Sequence, residues 1–213
     1  MVNISMDNTD LIRFFDELQS IMHNNKNYLI RLDSVVGDGD LGLTMSDGFL
    51  ASYKAVAGTA EKDCGKLLYT AGKAMATAVP STMGTLMASG LMKAGKVLKG
   101  KLNLSPQDFI ILFQAYEDGV EERGKAKIGD KTFLDGLHPG ISVLCDRIAT
   151  GDTLKKAAEK AAEAAKAGFE NTATMVAVHG RAATRGEASK TLLDPGAAVA
   201  SLIMEAFRNS IKD

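Results

Sequence analysis

Leu32-Asp33-Ser34-Val35-Val36-Gly37-Asp38-Gly39-Asp40-Leu41-Gly42 is the stretch on which the fold turns. Gly37, Gly39 and Gly42 formally spell G-x-G-x-x-G, and a dinucleotide fingerprint of that form would announce the strand and helix of an α/β sheet. Two observations reject it. The run before the glycines, with Tyr28, Leu29 and Leu32, has helical rather than strand spacing. Asp38 and Asp40 would also repel a phosphate laid against bare backbone N–H groups unless a cation intervened. An EF-hand fails as well, because the acid closing its loop would fall on Phe49. What is left is a glycine-flanked turn after a helix, with three carboxylates (Asp33, Asp38, Asp40) within eight residues.

Asp-Gly pairs form turns by bonding to their own backbone, and an isolated Asp-Gly-Asp would need no other explanation. The third acid, Asp33, changes the balance. Three clustered carboxylates repel one another unless a positive charge sits among them. Hard divalent cations take oxygen ligands, and Mg²⁺ binds through few carboxylates plus substrate phosphates. The stretch therefore reads as a metal–phosphate site.

Helical periodicity runs through most of the chain. Leu11, Phe14, Phe15, Leu18 and Ile21 make one stripe behind a polar Asn8-Thr9-Asp10 start, and Cys64, Leu68, Ala71, Met75 and Ala78 make another. A third passes through Leu86, Gly90, Leu91, Ala94 and Leu98. Ser105-Pro106-Gln107-Asp108 is a helix start with proline at the first helical position. Phe109, Leu112, Phe113, Tyr116 and Val120 follow it, with Gly124 placed to close the helix. Leu134, Leu137, Ile141, Leu144, Cys145 and Ile148 continue, Pro139 being expected to bend or restart them. Asp152 is the expected cap of an Ala-rich helix, and Asp194-Pro195 opens the last one. Met175–Val178 is too short to count as a strand. The expectation is an all-α fold of about eight main helices, one domain spanning residues 1–213.

With 46% hydrophobic residues, the 213-residue chain can bury a substantial core. A formal net charge of −1 argues against nucleic acid as a partner, and no basic cluster suggests a membrane surface. Cys64 and Cys145 have no C-x-x-C or zinc spacing and read as buried thiols. No apolar run suits a signal peptide or a membrane span, so the expected location is cytoplasmic. His23, His138 and His179 share no spacing, and no Ser-His-Asp or Cys-His arrangement supports nucleophilic catalysis.

In an antiparallel bundle alternate loops share an end. Polar, glycine-containing loops at residues 37–44, 80–85, 124–132 and 180–196 would together make a nucleotide pocket. Taken singly each has a plainer reading. Pro80 to Thr85 is either a phosphate-binding helix start or an ordinary cap. In Gly129 to Asp135, Asp130 or Thr132 caps and Lys131 is solvated, or the segment belongs to the pocket. Arg181 and Arg185 either bind phosphate or pair with Glu187 and solvent. Asp194-Pro195-Gly196 alone reads as a cap.

In order and spacing these segments resemble the L subunit of dihydroxyacetone kinase, its nucleotide-binding subunit. The matching pieces are Leu32-Asp33, Gly37 to Gly42, Gly129 to Thr132, Gly180-Arg181-Ala182 with Gly186-Glu187, and Asp194 to Ala197. The resemblance implies an eight-helix antiparallel up-and-down barrel with ADP or ATP and two Mg²⁺ ions in the loops at one end. It makes Asp33, Asp38 and Asp40 the metal ligands. It assigns phosphate contacts to Leu41, Gly42, Leu43, Thr44, Thr82, Met83 and Gly84. Gly124, Phe133, Arg181, Asp194, Pro195 and Gly196 complete the nucleotide pocket.

It further implies a partner K subunit that holds the ketose covalently. In one branch of the family ATP is the exchangeable donor. In the other, bound ADP is rephosphorylated by a phosphotransferase-system M protein. Departures are local. Family members often have His at Leu41, Asn at Thr44, two serines at Thr82-Met83 and Ser-Tyr-Leu at Ala183-Thr184-Arg185. Leu41 and Met83 each remove a donor near the phosphates, and Arg185 adds a charge at the rim. A related substrate, such as a four-carbon ketose, is a fair expectation. A regulatory module that senses nucleotide state and docks on a transcription factor would use the same pocket.

Overall fold

The computed structural model describes residues 5–212. Among them are nine α-helices: α1 (Asn8–Asn24), α2 (Lys26–Val36), α3 (Leu41–Val56), α4 (Cys64–Ala78), α5 (Thr82–Val97), α6 (Pro106–Gly124), α7 (Phe133–Ala149), α8 (Leu154–Asn171) and α9 (Pro195–Ser210). Only Asn25 separates α1 from α2, and α3 is a helix on which none of the apolar stripes read from the sequence falls. Short 3₁₀ turns at Thr172–Thr174 and Arg181–Ser189 lie in the long α8–α9 connection. A two-residue antiparallel ribbon pairs Met6 with Leu104 and Asp7 with Asn103; the sequence gives no sign of so short a pairing.

Capping explains most boundaries and corrects several expected ones. Asp7, not the Asn8–Asp10 turn, caps α1, accepting from the N–H groups of Thr9 and Asp10. Ser105 and Asp108 form the predicted capping box of α6. That helix closes on Lys125 at φ 63°, one residue beyond Gly124. Thr153 rather than Asp152 caps α8, while Asp152 pairs with Arg147 and Lys156. Pro139 sits inside an unbroken α7. It withdraws the N–H that the Asp135 carbonyl would receive, and Gly168 of α8 lies over that carbonyl. Cys64 is buried as expected, but Cys145 is only half-buried.

Packing follows chain order. α1 lies against α3 and α9, and each helix from α3 to α9 contacts the next, so the circuit returns to α1. Phe14, Phe109, Phe113 and Phe207 bring α1, α6 and α9 together, with ring centroids 4.9–5.8 Å from Phe207. Phe207 lies thirteen residues past Asp194, roughly 20 Å along a helix. That aromatic knot therefore lies well away from the α9 N-terminus. Consecutive helices joined by short connections alternate in direction. The α2–α3, α4–α5, α6–α7 and α8–α9 connections are thereby gathered at one end.

α4 and α5 approach closely through paired glycines. A Cβ at Gly65 would stand 2.5 Å from the Leu98 carbonyl carbon and the Lys99 nitrogen, and one at Gly95 would stand 2.6 Å from the Gly65 oxygen. These obstacles are backbone, which cannot rotate aside. Gly65→Ala is therefore expected to destabilise the protein by about 2 kcal/mol in urea unfolding, despite alanine's better helix propensity.

Candidate functional site

Asp33 lies in the last turn of α2, which ends at Gly37 as that residue's N–H bonds back to the Asp33 carbonyl. A Cβ on Gly37 would come 2.3 Å from Asp33 Oδ1, so only glycine lets the carboxylate lie across this turn. Gly39 then takes φ 76°, a conformation that side chains disfavour, and reverses the chain into α3. Asp40 stands at the N-cap of α3 but makes no side-chain cap bond. Leu41 N–H donates to Asp33 Oδ2 at 3.4 Å. One carboxylate oxygen from each of Asp33, Asp38 and Asp40 lies within 4.8 Å of the others. The electrostatic cost is visible in Asp40. Burial raises its carboxyl above the usual range, the charges of Asp38 and Asp33 raise it further, and Arg181 opposes them.

These acids form one wall of a cleft of about 380 Å³. The four connections predicted to share an end all line it, as Asp40, Ser81, Ala126 and Arg181 illustrate. Leu86, Val120, Phe133, Leu134 and Pro195 supply an apolar wall. The cleft therefore has an anionic wall suited to cations and an apolar surface suited to a flat ring.

Of the residues singled out from sequence, Asp33, Asp38, Asp40, Leu41, Thr82, Met83, Gly124, Phe133, Arg181, Asp194, Pro195 and Gly196 line this cleft. Four others, Gly42, Leu43, Thr44 and Gly84, do not line it. A Cβ on Gly42 would meet the Lys26 oxygen at 2.2 Å, so this glycine lets α3 close on α2. Gly84 lies against the Val79 oxygen in the same way, and Ser81 Oγ caps its N–H at 3.0 Å. Thr44 is buried, while Leu43 is 49% exposed.

Lys131 overturns its solvated reading. It is 2% exposed, takes φ 61°, and donates to the carbonyls of Met175 (3.1 Å), Ser189 (2.6 Å) and Leu192 (2.7 Å). Around it, Asp135 accepts from Gly129 N–H at 2.6 Å and Thr132 N–H at 2.7 Å, completing the cap of α7. His179 Nε2 lies 3.0 Å from Asp130 Oδ2, tying the α8–α9 connection to the α6–α7 turn. Sequence spacing gave no hint of that pair. The arginines also find partners other than Glu187: Arg181 pairs with Asp38, and Arg185 donates to the Val35 carbonyl.

Asp194 caps α9, accepting from Ala197 N–H at 2.7 Å, and its own N–H donates to Thr172 Oγ1 at 3.0 Å. Burial pushes its carboxyl up to about 7, with Asp135 adding to the rise and the Ala197 N–H and Lys131 opposing it.

An all-helical chain that presents an acid-walled cleft between the ends of its helices defines a narrow class of domain. Residues 35–209 match the DAK2 domain, and the chain belongs to that family. The PEP-dependent dihydroxyacetone kinase ADP-binding subunit DhaL of Escherichia coli is 29% identical over 99% of this chain and 100% of its own length. The L-erythrulose 1-kinase of Mycolicibacterium smegmatis is 32% identical over 93% of this chain, which spans 35% of that longer protein. The dihydroxyacetone kinase of C. freundii, solved in complex with AMP-PNP and Mg²⁺, superposes with a TM-score of 0.70 at 21% identity. The alignment covers 94% of this chain and 34% of that one. No helix among the described residues is long and apolar enough to cross a membrane.

The raised Asp194 carboxyl sets a pH dependence. Its folded value of about 7 lies above the roughly 3.9 of an unfolded aspartate, so the folded state binds the extra proton. Its contribution to stability is full below the unfolded value and is lost as pH rises through the folded one. Asp194→Asn keeps a capping side chain, and denaturant midpoints between pH 4 and 8 should decline less steeply for the variant than for the wild type.

Proposed function

We propose that this chain is the nucleotide-binding subunit of a kinase for dihydroxyacetone or a related ketose. The observation that carries the reading is the convergence of Asp33, Asp38 and Asp40 beside an apolar cleft at the helix ends. The residues fit the group they are asked to hold. Three oxygen donors lie close enough to share cations, glycine at 37 leaves room for one of them, and Asp38 and Asp33 repel Asp40 with Arg181 opposing. In the proposed complex, Asp33, Asp38 and Asp40 hold two Mg²⁺ ions. The N-terminal turns of α3 and α5, from Leu41 to Thr44 and Thr82 to Gly84, hold the phosphates of ADP or ATP, with Leu41, Thr82 and Met83 at the cleft surface and the other residues completing those turns. Gly124, Phe133, Arg181 and Asp194 to Gly196 complete the pocket.

Magnesium held by these carboxylates would supply positive charge to offset the charge of phosphoryl transfer. The protein's part is positional. The Gly37–Gly39 turn sets the acids, Arg181 adds a guanidinium beside them, and Lys131 fixes the connection that carries Arg181. Phe133 and Leu134 exclude water from the apolar wall. In this reading the ketose is held by a separate K-type subunit, and the whole chain is one L-type domain with its helices closed into a barrel. The likeness to the E. coli PEP-dependent subunit supports a donor subunit of the phosphotransferase-dependent kind, served by an M-type protein. The likeness to the L-erythrulose 1-kinase supports a four-carbon ketose as well as dihydroxyacetone. Such a subunit works in the cytoplasm.

Purified protein is expected to bind ADP only with Mg²⁺ present and to release it to EDTA. Asp38→Asn and Asp40→Asn should each lower that affinity by about a hundredfold, as measured by calorimetry. The chain alone should phosphorylate no ketose, and activity should appear on adding a ketose-binding partner. Robust activity without a partner, or ADP binding indifferent to EDTA, would refute the reading.

A further inference from the structure

We propose that Arg181 is an exchangeable internal counter-ion. It holds Asp38 until a divalent cation takes that carboxylate, and the released guanidinium then turns to the phosphates of a nucleotide in the cleft. The proposal rests on the metal–nucleotide reading of the site and adds a coupling between its two ligands.

Among the described residues Arg181 is the one basic side chain ion-paired with any of the three acids. It pairs with Asp38 alone, while one oxygen of each acid lies within 4.8 Å of the others, so a single guanidinium meets only part of the cluster's charge. The contact is also easily exchanged. Arg181 is 66% exposed and Asp38 42%, and ion pairs this open to water are weak. A divalent cation shared by three carboxylates is the stronger competitor.

The backbone around Arg181 is built to let it change partner without losing its place. Gly180 (φ 69°) and Gly186 (φ 53°) bracket the segment, and neither has any atom within 4 Å of where a Cβ would stand. Outside the bracket the chain is pinned, since Lys131 holds the Met175 carbonyl on one side and those of Ser189 and Leu192 on the other. Inside it, Arg185 donates to the Val35 carbonyl, one of the last-turn carbonyls of α2 that lack a helical N–H partner. Arg185 thus meets the acid loop through a backbone oxygen and holds no carboxylate, while Lys131 fixes the segment's place. Arg181, four residues away, is kept within reach of both Asp38 and the cleft that it lines.

The exchange makes a prediction of opposite signs. Nucleotide-free protein, stripped with EDTA, is titrated with Mn²⁺ and followed by electron paramagnetic resonance. Arg181→Gln should bind Mn²⁺ about fivefold more tightly than the wild type, because the competing pair is gone. The same variant should bind ADP in the presence of Mn²⁺ about tenfold more weakly, because the phosphate has lost a charged donor. Arg185→Gln removes an equal charge nearby without freeing a carboxylate, and its nucleotide-free Mn²⁺ affinity should match the wild type. Equal tightening in both variants would show a general field effect and overturn the exchange. Unchanged or weaker Mn²⁺ binding by Arg181→Gln would overturn it too, provided that Asp38→Asn loses Mn²⁺. If the wild type binds no Mn²⁺, or Asp38→Asn binds it as well as the wild type, the metal reading fails and the exchange falls with it.

Discussion

One buried ammonium group organises the longest connection in the chain. Residues 172–194 have only short 3₁₀ turns of their own, and a stretch of that length without a helix or strand needs external support. Lys131 gives it, spending all three of its N–H donors on carbonyls of this connection. Burying a charge is costly unless it is fully hydrogen-bonded, and here the satisfied bonds and the nearby Asp194 supply the compensation. Burial accordingly lowers the Lys131 affinity for its proton, with Asp194 opposing. Arg181, Gly180 and the start of α9 all take their positions from this arrangement. The acids of the α2–α3 turn would otherwise face an unfixed opposite wall.

Much of this was legible in the sequence. Helical periodicity and the lack of strand patterns gave the all-α class, and the apolar stripes located most of the main helices because burial on one face leaves a 3.6-residue signature, although no stripe marked α3. Ser105-Pro106 and Asp194-Pro195 were readable because capping chemistry is local. The gathering of four loops at one end followed from alternation alone.

What escaped is non-local. Lys131 looks solvated because its partners are backbone carbonyls 44 to 61 residues further on, and carbonyls have no sequence signature. His179 and Asp130 are 49 residues apart and meet only through the fold. The close packing of Gly42 on the Lys26 oxygen and of Gly84 on the Val79 oxygen was also not legible, because a missing side chain suits a phosphate turn or a tight backbone contact equally. Pro139 was expected to bend or restart its helix, and the residue that lies over the Asp135 carbonyl it leaves, Gly168, is on a different helix. The Met6–Leu104 pairing depends on two residues a side, too few for any period to show.

The alternation that collects the cleft loops also decides where the chain's ends go. Residue 194 lies at the cleft, and α9 then runs about 24 Å away from it. At the far end Arg13 Nε bonds the Ser210 carbonyl at 2.8 Å, so the beginning of α1 and the end of α9 are stitched side by side. Sequence added at either end would emerge behind the helices and leave the cleft mouth clear. The domain is thus suited to covalent tethering. A second module joined there gains effective concentration only through a linker long enough to travel the length of the helices. The longer relatives, in which this domain is about a third of the chain, are consistent with that freedom.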